Sequence, residues 1–241
     1  MLPESLFAFR LESLFVSTGI HKQGKIQITN DTDSKLLVSC GAVKAPVLIV
    51  QNDNETLTKC ADGIVGEILV GGESVSNGYW NNISETEKLF GITFPNDNTQ
   101  YVRTGDLGFI WNGQLYVCGR IKDLIIINGK NYYPQDIEYI IQETINEVRK
   151  GSIVATSMNR NGKEQLAIVC ETHLDANSPQ LHSLAKQISD EITSSTGLIA
   201  QQISLTPPKS VPRTTSGKIM RNKTKIMLGN GELKPIYVLE N

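Results

Sequence analysis

A chain of 241 residues is long enough to bury a sizeable core, as one large domain or two modest ones. With 39% apolar and 20% charged residues it has the composition of a soluble globular protein, and a net charge of −2 excludes a whole-chain attraction to nucleic acid or anionic lipid. Cys40, Cys60, Cys118 and Cys170 form no C-x-x-C pair, so neither a disulfide framework nor a zinc site is indicated.

The first elements are β in character. Residues 5–17 fit a strand or a poor helix, and the pattern leaves both open. Lys25 to Thr29, Lys35 to Ser39, Val47 to Val50 and Val65 to Val70 read as short strands separated by turn residues such as Asn30-Asp31, Asn52-Asp53 and Asp62-Gly63. Ser84 is the expected cap of a helix with Glu85 and Glu87 in its first turn and its end near Gly91. Thr93 to Gln100, crowded with Pro95, Asn96, Asp97 and Asn98, is expected to be a loop. The apolar runs Val47 to Val50 and Leu124 to Ile127 are far too short to span a membrane. Residues 1–20 lack the basic start and apolar centre of a signal peptide, so a cytoplasmic protein is expected.

Tyr101 to Glu138 carries the most information. Gly105-Asp106 offers an acidic acceptor behind a residue without a side chain; it suits a vicinal diol such as ribose, or an Asx turn. Leu107, Phe109 and Trp111 alternate, Asn112-Gly113 supplies a hairpin turn, and Leu115 and Val117 resume the apolar face. Gly119-Arg120 and the charged joint Lys122-Asp123 follow, then a second hairpin at Asn128-Gly129. Pro134 opens an amphipathic helix with Ile137, Ile140, Ile141, Ile145 and Val148 on one face and Arg149-Lys150-Gly151 as its close. Here the character changes from β-rich to mixed, which places a boundary between residues 1–119 and 120–241.

Ser152 to Ser157 and Gln165 to Glu171 form an expected antiparallel pair around Asn161-Gly162. A helix from Ser178-Pro179 buries Leu181, Leu184, Ala185, Ile188 and Ile192 and stops before Gly197, and Gln201 to Thr206 is a further strand. Val211 to Arg221 reads as a small, flexible, polar loop that delivers Lys218, a point charge suited to a phosphoryl site. It is not a P-loop, because Pro212 and Ile219 hold the places of the required glycine and Ser or Thr. The run Lys209, Arg213, Lys218, Arg221, Lys223 and Lys225 contains no acid and is either a phosphate-facing surface or a solvated helix end. His21, His173 and His182 have no partners at catalytic spacing and read as surface residues.

Taken together, GEILVGGESVSNGYW from Gly66, YVRTGDLG from Tyr101, GRIKDLIIINGKNYYPQDIE from Gly119 and PRTTSGKIMR from Pro212 resemble the C-terminal part of the adenylate-forming superfamily. LFVSTG at Leu14, LVSCG at Leu37 and NYYPQDIE at Asn131 are most similar to its fatty acyl-AMP ligases. The resemblance implies an α+β chain: a β-rich subdomain of the large domain, then a small mobile C-terminal lid. It implies ATP and Mg2+ as cofactors, a fatty acid as substrate and an acyl carrier protein as acceptor. Asp106 would bind the ribose hydroxyls, Arg120 the ribose or α-phosphate, Lys122 and Asp123 would form the hinge, and Lys218 would bridge the carboxylate and α-phosphate. The family's phosphate loop and large N-terminal portion do not occur in the chain, which is expected to be a fragment, a truncated frame or half of a split enzyme. The Tyr-Gly-x-x-Glu motif survives only as Phe9-Arg10-Leu11-Glu12, one residue short, so the metal ligand stays unassigned beyond Glu12. A fatty acyl-CoA synthetase and a non-catalytic module that docks a carrier protein are the rival expectations.

Overall fold

The computed structural model describes residues 13–17, 25–28, 34–44, 46–53, 56–160 and 162–241. The chain divides into two compact units, Met1–Lys122 and Asp123–Asn241, so the division falls inside the charged joint.

The first unit is built on an eight-stranded sheet. Its spatial order is β1 (Ser13–Ser17), β2 (Ser34–Ala42), β8 (Gln114–Arg120), β7 (Asp97–Trp111), β5 (Gly66–Gly71), β3 (Val47–Asp53) and β4 (Thr56–Lys59), with β6 (Ile92–Phe94) paired to β7. Each neighbour is antiparallel. Asn112 and Gly113 connect β7 to β8 with φ of 49° and 72° while Trp111 pairs with Gln114, the two-residue turn whose twist matches the strands it joins. That register sets Phe109 opposite Tyr116, and the two fully buried rings stack with centroids 5.1 Å apart. Val50, Leu69 and Tyr101 form a second buried cluster.

Three expectations for this unit need correction. Thr93 to Gln100 is not a loop but the hairpin of β6 and β7, with Phe94 opposite Asp97 and only Pro95 and Asn96 in the turn. Asn96 takes a positive φ of 61°, and the Asp97 carboxylate closes the turn by accepting from the Thr99 N–H at 3.0 Å, the Tyr101 hydroxyl at 3.0 Å and Lys59 at 3.1 Å. These donors hold the Asp97 carboxyl below the usual carboxylate range, the Thr99 amide first and Lys59 next. Helix α1 (Ile83–Leu89) is capped by Asn82, whose Oδ1 accepts from the Glu85 N–H at 3.3 Å, and not by Ser84. From Lys25 to Ile28 there are isolated bridges to Ile64 and Val16 in place of a strand. Thr29, His21, Asn30, Asp31 and residues 5–12, Glu12 included, lie outside the described residues.

The second unit begins with a separate hairpin, β9 (Ile125–Ile127) and β10 (Lys130–Tyr132), turning at Asn128 and Gly129 with φ of 51° and 73°. A four-stranded sheet follows in the order β11 (Val148–Arg160), β12 (Lys163–Thr172), β13 (Ala200–Thr206), β14 (Tyr237–Glu240). Only β12 and β13 are parallel, and helix α3 (Gln180–Thr196) supplies the crossover such a pair needs. Successive residues point to opposite faces. Ile153, Leu166, Ile168 and Cys170 therefore pack under α2 (Pro134–Thr144) and α3, whereas Val154 and Val169 meet Val211, Leu233 and helix α4 (Arg221–Gly229). Burying an aliphatic side chain of this kind contributes about 1.5–3 kcal/mol.

Helix α2 stops at Thr144, four residues before the expected last apolar position, and Ile145 is extended at φ −121°, ψ 110°. Val148 starts β11, and Arg149 to Ser152 bulge out between the pairs Val148 to Thr172 and Ile153 to Cys170. Ile145 and Val148 are buried as expected, but on different elements. In α3 the Ser178 hydroxyl accepts from the Gln180 N–H, and Gly197 closes the helix. Among the described residues no helix is long and apolar enough to cross a membrane.

Candidate functional site

Asp106 stands between two irregularities of the first unit's sheet. Along β5 and β7, Glu67 pairs with Leu107 but Leu69 pairs with Arg103, so Thr104 and Gly105 are squeezed out of β7. On the other side the β7–β8 register slips between Leu107 and Gly108. Bulges bend a strand and re-aim the side chain beside them. Gly105 makes this one attainable, since its φ of 72° is strained for any residue with a Cβ.

The bulge is tied down from β5. Arg103 reaches Glu67 Oε2 with Nε at 2.9 Å and Nη2 at 2.5 Å, and the Gly105 N–H donates to Oε1 of the same carboxylate at 3.3 Å. Thr104 Oγ1 donates to the Ile68 carbonyl at 2.8 Å and accepts from the Asp106 N–H at 3.0 Å. The backbone of Asp106 is thus held while its carboxylate projects. Asp106 Oδ1 accepts from Arg120 Nε at 2.8 Å, directly across the pair of strands. With Arg120 at 69% and Asp106 at 32% exposure, this pair adds at most about 1 kcal/mol to stability. Its charges are presented to solvent, and the hydrogen bonds of Asp106 are not those of an Asx turn.

Lys122 closes the first unit and Asp123 opens the second, both within a single turn of 3₁₀ helix, Ile121–Asp123. Lys218 belongs to the second unit. Its segment, expected to be a small polar loop, turns back on itself as a hairpin: Arg213 and Ile219 form a bridge, Thr214 N–H donates to the Lys218 carbonyl at 2.8 Å, and Gly217 N–H donates to the Thr214 carbonyl at 2.9 Å. Arg213 locks its base, giving Nη1 to the Gly217 carbonyl at 2.9 Å and Nη2 to the Gly151 carbonyl at 2.5 Å and Ser152 Oγ at 2.7 Å. The Lys218 ammonium is exposed and bonds to no described residue.

The basic run divides into cations with internal partners and cations that face solvent. Arg213 and Arg221 are spent on internal contacts, Arg221 with Glu138 and Asp123, and Lys225 reaches Ser157 at 2.8 Å, while Lys209, Lys218 and Lys223 remain exposed. The approach to the hairpin is pinned by Glu171, fully buried at the end of β12. Burial pushes its carboxyl up, but the Val211 and Lys209 amides and Arg149 more than offset this and hold it below its ordinary value. Val211 N–H and Arg149 Nη1 each lie 2.8 Å from it.

Residues 122–237 match the family described as Disco-interacting protein 2-like, AMP domain. The long-chain-fatty-acid–AMP ligase FadD28 of Mycobacterium tuberculosis is 37% identical over 196 residues, covering 77% of this chain and 33% of its own. A structure from work on fatty acyl-adenylate ligases of E. coli and L. pneumophila shares the fold with a TM-score of 0.76 and 29% identity, over 92% of this chain and 38% of that one. An adenylation, ketoreductase and pseudo-Asub multidomain structure of a keto acid-selecting NRPS module gives a TM-score of 0.73 and 27% identity, over 92% and 18%. In sequence and in fold the chain is similar to enzymes of the adenylate-forming superfamily.

The chain spans about a third of the length of the curated relatives it matches. Sequence reasoning singled out Asp106, Arg120 and Lys218 but missed the residues that hold them: Glu67, Arg103, Glu138 and Glu171. Their partners lie far off along the chain, with no periodic spacing to reveal them; the signal was that Glu67, Arg103 and Glu138 sit in three of the quoted stretches. Among the described residues no three His, Cys, Asp or Glu side chains gather to hold a metal ion, and Glu12 lies outside them.

Proposed function

We propose that the chain is the C-terminal part of a fatty acyl-AMP ligase, which converts a fatty acid and ATP to acyl-AMP and pyrophosphate for transfer to the phosphopantetheine arm of an acyl carrier protein. The observation that carries this is the placement of Asp106 between two bulges and against Arg120, in a chain 37% identical to an enzyme named as a long-chain-fatty-acid–AMP ligase. In this proposal residues 1–119 are the last subdomain of the large domain, residues 120–241 are the lid, and the protein is cytoplasmic.

The residues fit the nucleotide chemically. Asp106 engages Arg120 through Oδ1, and Oδ2 bonds to no described residue, so the carboxylate can accept from both hydroxyls of a ribose. Arg120 lies beside it, ready for the ribose or the α-phosphate. Lys218, a strongly hydrated point charge on a flexible stem, meets the substrate carboxylate and the α-phosphoryl oxygens as the lid turns on Lys122-Asp123. The carboxylate oxygen forms its bond to the α-phosphorus, the bond to the bridging oxygen breaks, and pyrophosphate leaves with the electron pair. Catalysis comes from positioning and from the charge Lys218 supplies as negative charge shifts in the transition state. Mg2+ would arrive with the triphosphate and neutralise its oxygens.

The test is ATP–pyrophosphate exchange with this chain joined to the N-terminal two thirds of FadD28, because the chain alone is expected to be inactive. Lys218→Ala should lower exchange by about 100-fold or more with little change in the KM for ATP. Undiminished exchange would remove Lys218 from the mechanism. Acyl-CoA formed in place of acyl carrier protein would reassign the acceptor.

A further inference from the structure

Arg221 closes the PRTTSGKIMR stretch and opens α4, immediately after the Lys218 hairpin. Its guanidinium takes both oxygens of Glu138 on α2, Nε to Oε1 at 2.7 Å and Nη2 to Oε2 at 2.5 Å, while Nη1 faces the Asp123 carboxylate at 3.5 Å. Arg221, Glu138 and Asp123 are 25%, 12% and 22% exposed, so water competes weakly for these bonds. Glu138 Oε1 also accepts from the Ala155 N–H at 3.1 Å, which braces the pair against β11. Two parallel N–H···O bonds from a planar fork fix direction as well as distance, which a lysine cannot do.

We propose that Arg221 is a positioning residue: braced on Glu138, it couples Asp123, where the second unit begins, to the hairpin that presents Lys218. A change of backbone direction at the joint then reaches the lysine through one rigid guanidinium, and the hairpin keeps its setting as the lid turns. Arg213 fixes the other limb of the same hairpin to Gly151 and Ser152, so Lys218 is held between two arginine clamps. The importance of this coupling for adenylation rests on the function proposed above. The coupling itself does not, and can be measured without activity.

Amide hydrogen exchange on the 241-residue chain reads it. The N–H groups of Thr214, Gly217, Lys218 and Met220 are bonded within the hairpin and report its closure, and those of β11 and β12 report the sheet. In Asp123→Asn and in Arg221→Lys the hairpin amides should exchange about tenfold faster, with the sheet amides unchanged. A hairpin unaffected by Asp123→Asn overturns the coupling. Equal acceleration across the second unit overturns it as well, since that is what a merely structural ion pair would do. The expected exchange pattern together with undiminished pyrophosphate exchange in Lys218→Ala would sink the proposed mechanism and leave the coupling standing.

Discussion

Single charges in this chain are set by neighbours distant in sequence. Glu171 illustrates this: nothing near it marks a buried carboxylate, yet it is closed in by Arg149 and the amide of Val211, 40 residues onward. Its carboxyl is held below the unfolded value of about 4.3, so its contribution to stability is complete above that pH and is lost as pH falls through the folded value. Glu171→Gln should destabilise the second unit by about 2 kcal/mol at neutral pH and flatten the loss of stability below about pH 5. Denaturant titrations at several pH values would check both, and an unchanged acid limb would contradict the assignment. Asp106 and Lys218 were singled out in the sequence because each sits beside a glycine in an unusual stretch. The arginines that hold the hairpin were visible only as positive charge, because the acids and carbonyls that claim them come from other elements.

Elements were legible where local chemistry alone decides them. The turns at Asn112-Gly113 and Asn128-Gly129 form as expected, since two consecutive positive φ angles are tolerated by few other residues. A Cβ at Gly113 or at Gly129 would meet no atom within 4 Å, so the cost of alanine there is conformational only. Gly113→Ala and Gly129→Ala should each cost about 1–2 kcal/mol, the first in the eight-stranded sheet and the second in the second unit, as read by thermal unfolding. A loss well below that at either site would mean the turn is not held at positive φ. Where two elements bury the same apolar residues, the pattern could not divide them: Ile145 and Val148 continue the period of α2 but serve a connection and a strand. Helix α4 and β14 were missed altogether. The first is short, polar and basic, and the second is a four-residue edge strand defined by its pairing with β13.

For the molecule as a whole, the boundary expected after residue 119 and the division into Met1–Lys122 and Asp123–Asn241 lie three residues apart, in a stretch where charge and glycine accumulate. Strand order was beyond reach, since β2 lies against β8 through pairings such as Ser39 with Tyr116 that no local pattern encodes. The proposed function makes its demand at this scale too: it requires that one nucleotide be served by Asp106 and by Lys218. The direct measurement is lysine labelling by an ATP acyl phosphate, read by mass spectrometry, in the chain joined to the N-terminal two thirds of FadD28. The account expects Lys218 to be labelled, protected by a non-hydrolysable acyl-AMP analogue, and labelled about tenfold less in Asp106→Ala. Labelling of Lys218 that ignores both the analogue and Asp106→Ala would contradict it.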